Sequence, residues 1–238
     1  MKKAEINLNK CANCGECMEI CPQNSIFAFE NSYKVDKQKC IGCSKCFNVC
    51  KNNAVELKSE TKDLKEILPP LIELGIDCIE FHTSGENEDE TFAKWNEINS
   101  LYGGMLSICM NRAKLSNEKY ISLIKKMTEK RKPYSTIIQA DGAPMSGGCD
   151  DYKTTLQTVA MAEVVQNLNL PLYVILSGGT NSKSTELAKL CGVNINGIGI
   201  GSYARKIVKE TLGEGDFENS LKIAKNLVNI SINNMKEA

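Results

Sequence analysis

Two stretches of this chain have residue types and spacing that can do chemistry. Residues 11 to 22 read C-A-N-C-G-E-C-M-E-I-C-P and residues 40 to 51 read C-I-G-C-S-K-C-F-N-V-C-K, so the spacing C-x2-C-x2-C-x3-C occurs twice, offset by 29 residues. Three thiolates two residues apart let one tight loop wrap three corners of an iron-sulfur cube. The fourth, opening a short helix, points away and ligates the other cluster. The spacing therefore assigns Cys11, Cys14, Cys17 and Cys50 to one 4Fe-4S cluster and Cys40, Cys43, Cys46 and Cys21 to a second. The competing chemistry is a pair of structural zinc sites, since zinc also takes four thiolates. Zinc uses two separated pairs and does not require a third Cys at the same interval or a fourth after three residues.

The duplication runs past the thiols into the residues that must hold them: Lys10 matches Lys39, Ile20 matches Val49, Asn24 matches Asn53 and Ile26 matches Val55. Residues 1 to 57 resemble the bacterial two-cluster ferredoxin module, with one departure. Pro22 follows the first set as in that family, but Lys51 stands at the equivalent place in the second. Lys45 and Lys51 beside a cluster are expected to raise its potential by favouring the reduced, more negative form. So short a segment, with few large apolar side chains, cannot build much of a core, and the clusters are expected to supply one, coupling folding to metal loading.

The rest of the composition narrows the setting. The chain has 238 residues and 12 Cys, and its 29 basic side chains balance 29 acidic ones. Eight cysteines lie in the first 50 residues; Cys78, Cys109, Cys149 and Cys191 are scattered singly. A neutral balance gives no global reason to expect nucleic acid as partner. No apolar run approaches the roughly 20 residues of a membrane span, and no secretory signal is read before Cys11. A soluble, cytoplasmic protein with thiols kept for metal is the expectation.

A polar stretch, K-S-E-T-K at 58 to 62, reads as a linker, and residues 63 to 238 follow a different pattern. Apolar strands near 77–82, 105–110, 134–140, 172–176 and 197–200 alternate with helical stretches near 91–101, 117–130, 152–168, 184–190 and 203–211. Such alternation means a parallel sheet. In the 152–168 helix, Leu156, Ala160, Val164 and Leu168 recur at four-residue steps beside Val159. A closing amphipathic helix carries Phe217, Leu221, Ala224, Val228 and Met235 on one face. The fold class is thus an α+β ferredoxin-like two-cluster module followed by an α/β domain. Its sheet is either open and doubly wound or, as preferred here, a partial (β/α) barrel.

In either architecture a ligand sits beyond the carboxyl ends of the strands. Those ends carry Glu80, His82 and Thr83, then Asn111 and Arg112, then Gln139, Asp141 and a Gly-rich run to Gly148. After them come Gly178, Gly179, Thr180 and Asn181, and last Gly201, Ser202 and Arg205. The final two loops would offer backbone N–H groups to an anion such as the phosphate of a flavin or another phosphorylated ligand, although glycines after strands also simply make tight turns. His82, the only histidine, and Asp141, heading its Gly-rich loop, are the catalytic candidates. The bland alternatives are a hydrogen-bonded structural histidine and an Asx turn. Cys78 and Cys109 read as buried small hydrophobes.

At G-I-D-C-I-E-F-H-T-S (75–84), F-A-K-W (92–95), Q-A-D-G-A-P-M-S-G (139–147), L-S-G-G-T-N (176–181) and G-S-Y-A-R-K (201–206) the chain is similar to the LdpA family, iron-sulfur proteins known from cyanobacteria as redox-responsive inputs to the circadian clock. In that family another strand-helix block precedes the ferredoxin module. The resemblance therefore implies either an open barrel or a sheet completed by a second subunit. It also implies a cluster-bearing protein that relays or reports redox state to a partner protein. The alternative is an oxidoreductase whose α/β domain binds a flavin or other phosphorylated ligand and receives electrons from the clusters.

Overall fold

The computed structural model describes residues 2–59, 62–110, 115–142 and 148–236. Asn111, Arg112, part of the 58–62 linker and most of the Gly-rich run after Asp141 lie outside the described residues. The chain forms two compact units, Met1–Ile67 and Leu68–Ala238.

The first unit is β1 (Lys2–Ile6), α1 (Glu16–Glu19), β2 (Ile26–Phe29), β3 (Ser32–Val35), α2 (Lys45–Val49) and β4 (Val55–Ser59). Each element of one repeat has its counterpart 29 residues on: β1 in β3, α1 in α2, β2 in β4. The pairing exchanges them. β1 pairs antiparallel with β4, and β2 with β3, so each two-stranded sheet takes one strand from each repeat and the unit has a pseudo-twofold. Its small core is Ala4, Cys17, Ile26, Cys40, Cys46 and Val55.

Next comes α3 (Leu64–Glu73), a helix that the sequence pattern does not announce because Pro69 and Pro70 lie inside it. Proline lacks the N–H of the helical ladder, and a Pro-Pro pair reads as a breaker. The boundary between the units falls between Ile67 and Leu68, just before that pair. Gly75, at φ 81°, closes the helix with its N–H on the Ile72 carbonyl.

The second unit runs β5 (Cys78–Thr83), α4 (Glu88–Leu101), β6 (Met105–Met110), α5 (Asn117–Thr128), β7 (Thr136–Asp141), α6 (Lys153–Gln166), β8 (Tyr173–Ser177), α7 (Ser184–Leu190), β9 (Gly197–Ile198), α8 (Ser202–Ile207), α9 (Lys209–Gly213) and α10 (Phe217–Lys236). The five strands are parallel, in the order β5-β6-β7-β8-β9. Among the described residues there is no reversal of strand order, hence no doubly wound switch point. Among the described residues the sheet is open; no pairing joins β5 to β9.

The register sorts side chains into two unlike faces. One holds Phe81, Ile108, Ile138 and Val174 side by side, all buried. Helices cover it: the Phe81 and Trp95 rings lie 5.6 Å apart, and the Trp95 indole N–H donates to the Met127 carbonyl at 2.8 Å. The other face holds Glu80, His82, Ser107, Cys109 and Gln139.

Two helices bury a stripe shifted from the expected one. In α6 the buried positions are Thr154, Thr155, Thr158, Val159, Met161, Ala162 and Val165, whereas Leu156 is 56% exposed. Threonine serves there because its hydroxyl is satisfied: Thr155 donates to Ser184 Oγ at 2.6 Å and Thr158 to the Ser177 carbonyl at 2.7 Å. In α10, Ser220, Leu227 and Ser231 are buried, while Phe217, Leu221 and Val228 stay exposed. Cys109 is buried as expected, but Cys78, on edge strand β5, is exposed.

Ile138, fully buried on the central strand, sets the stability of this unit. Ile138→Ala should cost about 2–5 kcal/mol, read as a lower urea midpoint in the fluorescence of Trp95, the only tryptophan.

Candidate metal centre and strand-end site

The cysteine loops are shaped by backbone that L side chains seldom adopt. Asn13 (φ 54°) and Gly42 (φ 67°) are left-handed at equivalent places before the second Cys of each set, and Gly15 (φ 83°) and Ser44 (φ 65°) are left-handed after it. Asn24 (φ 46°) and Asn53 (φ 49°) repeat the pattern after the fourth Cys. Asparagine tolerates this conformation and glycine has no Cβ to strain. At Gly42 space also demands it, since a Cβ would overlap the Lys2 carbonyl oxygen.

These curled loops gather thiols. Cys21, from the first set, lines one cavity together with Cys40, Cys43 and Cys46 of the second. On the other side Cys17 lies in the electrostatic reach of Cys11, Cys46 and Cys14, and Cys50 in that of Glu16. Lys51, beside Cys50, ion-pairs with Glu16 at 2.9 Å. Lys51 is therefore an ion-pair partner of the first loop at the point where the family has proline.

Environment differentiates the sulfurs in the same way in both repeats. Burial, and then the neighbouring thiols, push Cys17 and Cys46 above the ordinary thiol value. Cys21 and Cys50 are brought below it: burial opposes, but hydrogen bonds outweigh it. The Ser25 amide donates to Cys21 Sγ at 3.4 Å and the Ala54 amide to Cys50 Sγ at 3.2 Å. Ser25 and Ala54 are repeat equivalents, but only Ser25 adds a hydroxyl, 3.1 Å from Cys21 Sγ. A set of four thiols around one cavity, with backbone amides aimed at the sulfurs, fits a 4Fe-4S cube.

In the second unit the strand ends bring some expected residues together and commit others to the protein itself. Glu80, His82 and Asp141 share the polar face of the sheet with Cys109. His82 Nδ1 is 3.6 Å from Glu80 Oε1, and Cys109 Sγ is 3.9 Å from Asp141 Oδ2. Gln139 Nε2 donates to Glu80 Oε2 at 2.6 Å and to Ser107 Oγ at 3.1 Å. Burial raises the Asp141 carboxyl above its usual range, with His82 opposing. Burial, then the carboxylates of Asp141 and Glu80, push the Cys109 thiol up to about 12. By itself this buried thiol stays protonated and is no nucleophile at neutral pH.

Gly178, Gly179, Thr180, Gly201 and Ser202 line a cleft of about 400 Å³. Gly178 (φ 66°) and Gly179 (φ 72°) make the turn, and at Gly178 a Cβ would collide with the Asp141 carboxylate. The Thr180 hydroxyl donates to the Gly199 carbonyl at 2.5 Å. Fully buried Asn181 donates from its side-chain amide to the carbonyls of Cys149 and Asp151 at 2.9 and 2.7 Å, and to Thr154 Oγ1 at 2.6 Å. The side chains of Thr180 and Asn181 therefore brace the loop. Exposed Arg205 folds back over Gly201, its guanidinium 3.5 Å from Ser202 Oγ. The gathering of Glu80 and Cys109 with His82 into one cluster was not read from the sequence; β5 and β6 in parallel register would have been the signal.

Residues 10–55 match the 4Fe-4S dicluster domain and residues 70–237 the Light dependent period A C-terminal domain. The chain is 28% identical over 216 residues to a protein of Synechococcus elongatus named "Light dependent period A". That alignment covers 87% of this chain and 52% of the relative, so the chain spans about half the relative's length. This is an iron-sulfur protein with a ferredoxin-type domain, and among the described residues no helix is long and apolar enough to cross a membrane. With its C-terminal match covering well over half of its length, the chain belongs to the Light dependent period A (LdpA) family.

Proposed function

We propose that the chain transfers electrons or senses redox state: its two 4Fe-4S clusters exchange electrons with a partner protein, and that partner docks on the α/β unit. The observation that carries this reading is the cavity lined by Cys21 together with Cys40, Cys43 and Cys46. It supports the crossed assignment in which each loop of three thiolates takes its fourth sulfur from the other repeat, Cys50 completing Cys11, Cys14 and Cys17. A bound 4Fe-4S cluster supplies reversible one-electron chemistry at a low potential. The protein's part is to hold the thiolates, exclude water and set that potential. Buried Cys17 and Cys46 face inward, while Cys14 and Cys43 are exposed. The extra Ser25 hydroxyl on Cys21 makes the two sites unequal, because hydrogen bonds to ligand sulfur favour the reduced form.

Anaerobic reconstitution should give about eight iron and eight sulfide per chain, with a broad absorbance near ~400 nm that dithionite bleaches. Cys21→Ser and Cys43→Ser should disturb the same cluster and give matching changes in the reduced EPR spectrum, as Cys50→Ser and Cys14→Ser should for the other. If Cys21→Ser instead behaves like Cys14→Ser, the crossed assignment is wrong. Ser25→Ala should lower one of two potentials by about 20–60 mV, the equivalent of a hydrogen bond of roughly 0.5–1.5 kcal/mol in a one-electron couple. Its partner potential should stay put.

A second reading is favoured by the placement of Arg205 over the Gly201–Ser202 turn. In it the α/β unit is a segment of a (β/α) barrel, supported by the unreversed strand order. The cleft there takes the phosphate of a flavin or similar ligand, and the clusters feed electrons to it. Titration with flavin mononucleotide tests this: Arg205→Glu should weaken binding at least about tenfold, a loss of 1.4 kcal/mol or more. Equal binding by both proteins removes the reading.

A further inference from the structure

We propose that the polar face of the α/β sheet carries a metal site separate from the clusters, in which Glu80, His82, Cys109 and Asp141 bind one zinc-class divalent ion. It goes beyond the electron-transfer reading and does not depend on it. Parallel register sets His82 directly beside Cys109 and puts Glu80, two residues earlier, on the same face as His82. One ligand atom each from Glu80, His82 and Cys109 lies within 4.8 Å of the others. The neighbouring strand β7 adds Asp141, its Oδ2 3.9 Å from Cys109 Sγ, and Glu80 Oε1 is 3.6 Å from His82 Nδ1.

These separations are close to the edges of a tetrahedron around zinc. With Zn–S of about 2.3 Å and Zn–N or Zn–O of about 2.0–2.2 Å, ligand atoms should stand roughly 3.3–3.7 Å apart. For Glu80, His82 and Cys109, closing onto an ion asks for shifts of about an ångström; Asp141 lies outside that close group and would join it from the Cys109 side. An outer layer is already formed: Gln139 donates to Glu80 Oε2, turning Oε1 toward His82, and is itself held by Ser107. The donor set decides the class of metal. One nitrogen, one sulfur and two carboxylates suit a borderline ion, whereas calcium and magnesium take oxygen alone and an iron-sulfur cube needs thiolates. Exposed Glu80 and His82 leave the ion a way in from solvent, while buried Cys109 forms the floor.

The test uses the full chain with both clusters loaded, equilibrated anaerobically with Zn²⁺ and gel filtered. About one zinc per chain should remain with the iron content unchanged. The zinc X-ray absorption edge should show one sulfur at about 2.3 Å and nitrogen or oxygen at about 2.0–2.1 Å. Cys109→Ser and His82→Ala should lose the zinc, and Cys191→Ser, at an exposed thiol elsewhere, should keep it. Gln139→Leu should weaken binding about 10- to 100-fold. Failure of the unaltered chain to retain zinc overturns the proposal. So does zinc bound by four sulfurs, which marks displacement at a cluster, or full retention by both Cys109→Ser and His82→Ala. Absence or loss of zinc at this face leaves unchanged the iron and sulfide count that tests the electron-transfer reading, so the two readings fail separately.

Discussion

The N-terminal unit depends on one constraint: thiols must do the work of a core. Of the six described residues in its core cluster, three are Cys17, Cys40 and Cys46, and the others are Ala4, Ile26 and Val55. That is too little apolar surface to offset the ordering of the chain. Cross-linking the loops through iron adds what burial cannot. The exchange of strands between the repeats, β1 with β4 and β2 with β3, makes each two-stranded sheet depend on both repeats, so the two halves stand or fall together.

The α/β unit answers a different constraint. One face of its sheet is covered by helices and is apolar, from Phe81 through Ile108 and Ile138 to Val174. The other carries Glu80, His82, Ser107, Cys109, Gln139 and Asp141. Placing polar and ionisable groups on that side of the sheet costs little desolvation at exposed Glu80 and His82. It costs more at Asp141 and Cys109, whose protons are held more tightly for that reason. Groups tolerated against such a gradient are where ligands and ions find partners.

Much of this was legible in the sequence because it was periodic. The Cys spacing announced the cluster chemistry, and the strand-helix alternation announced the parallel sheet. The matches Asn24 to Asn53 and Ile26 to Val55 proved to be equivalent positions in the two halves. What escaped did so for physical reasons. Helix α3 hid behind Pro69 and Pro70. The buried stripe of α6 was disguised by Thr155 and Thr158, whose hydroxyls are satisfied inside the protein and which hydropathy counts as polar. In α10 the apolar residues Phe217, Leu221 and Val228 outlined a face, while the packed one runs through Ser220, Leu227 and Ser231. The cluster at Glu80, His82 and Cys109 depends on which strands are neighbours, and strand order is not a local property of sequence.

The left-handed turn at Gly42 carries a last consequence. Because the Lys2 carbonyl occupies the space where any side chain would go, the second cysteine loop is moulded against the very first residues of β1. Seating β1 is thus part of finishing a loop that begins some forty residues later. That loop is complete only once β1 lies against it, which ties the second repeat's cysteine turn to a strand from the first.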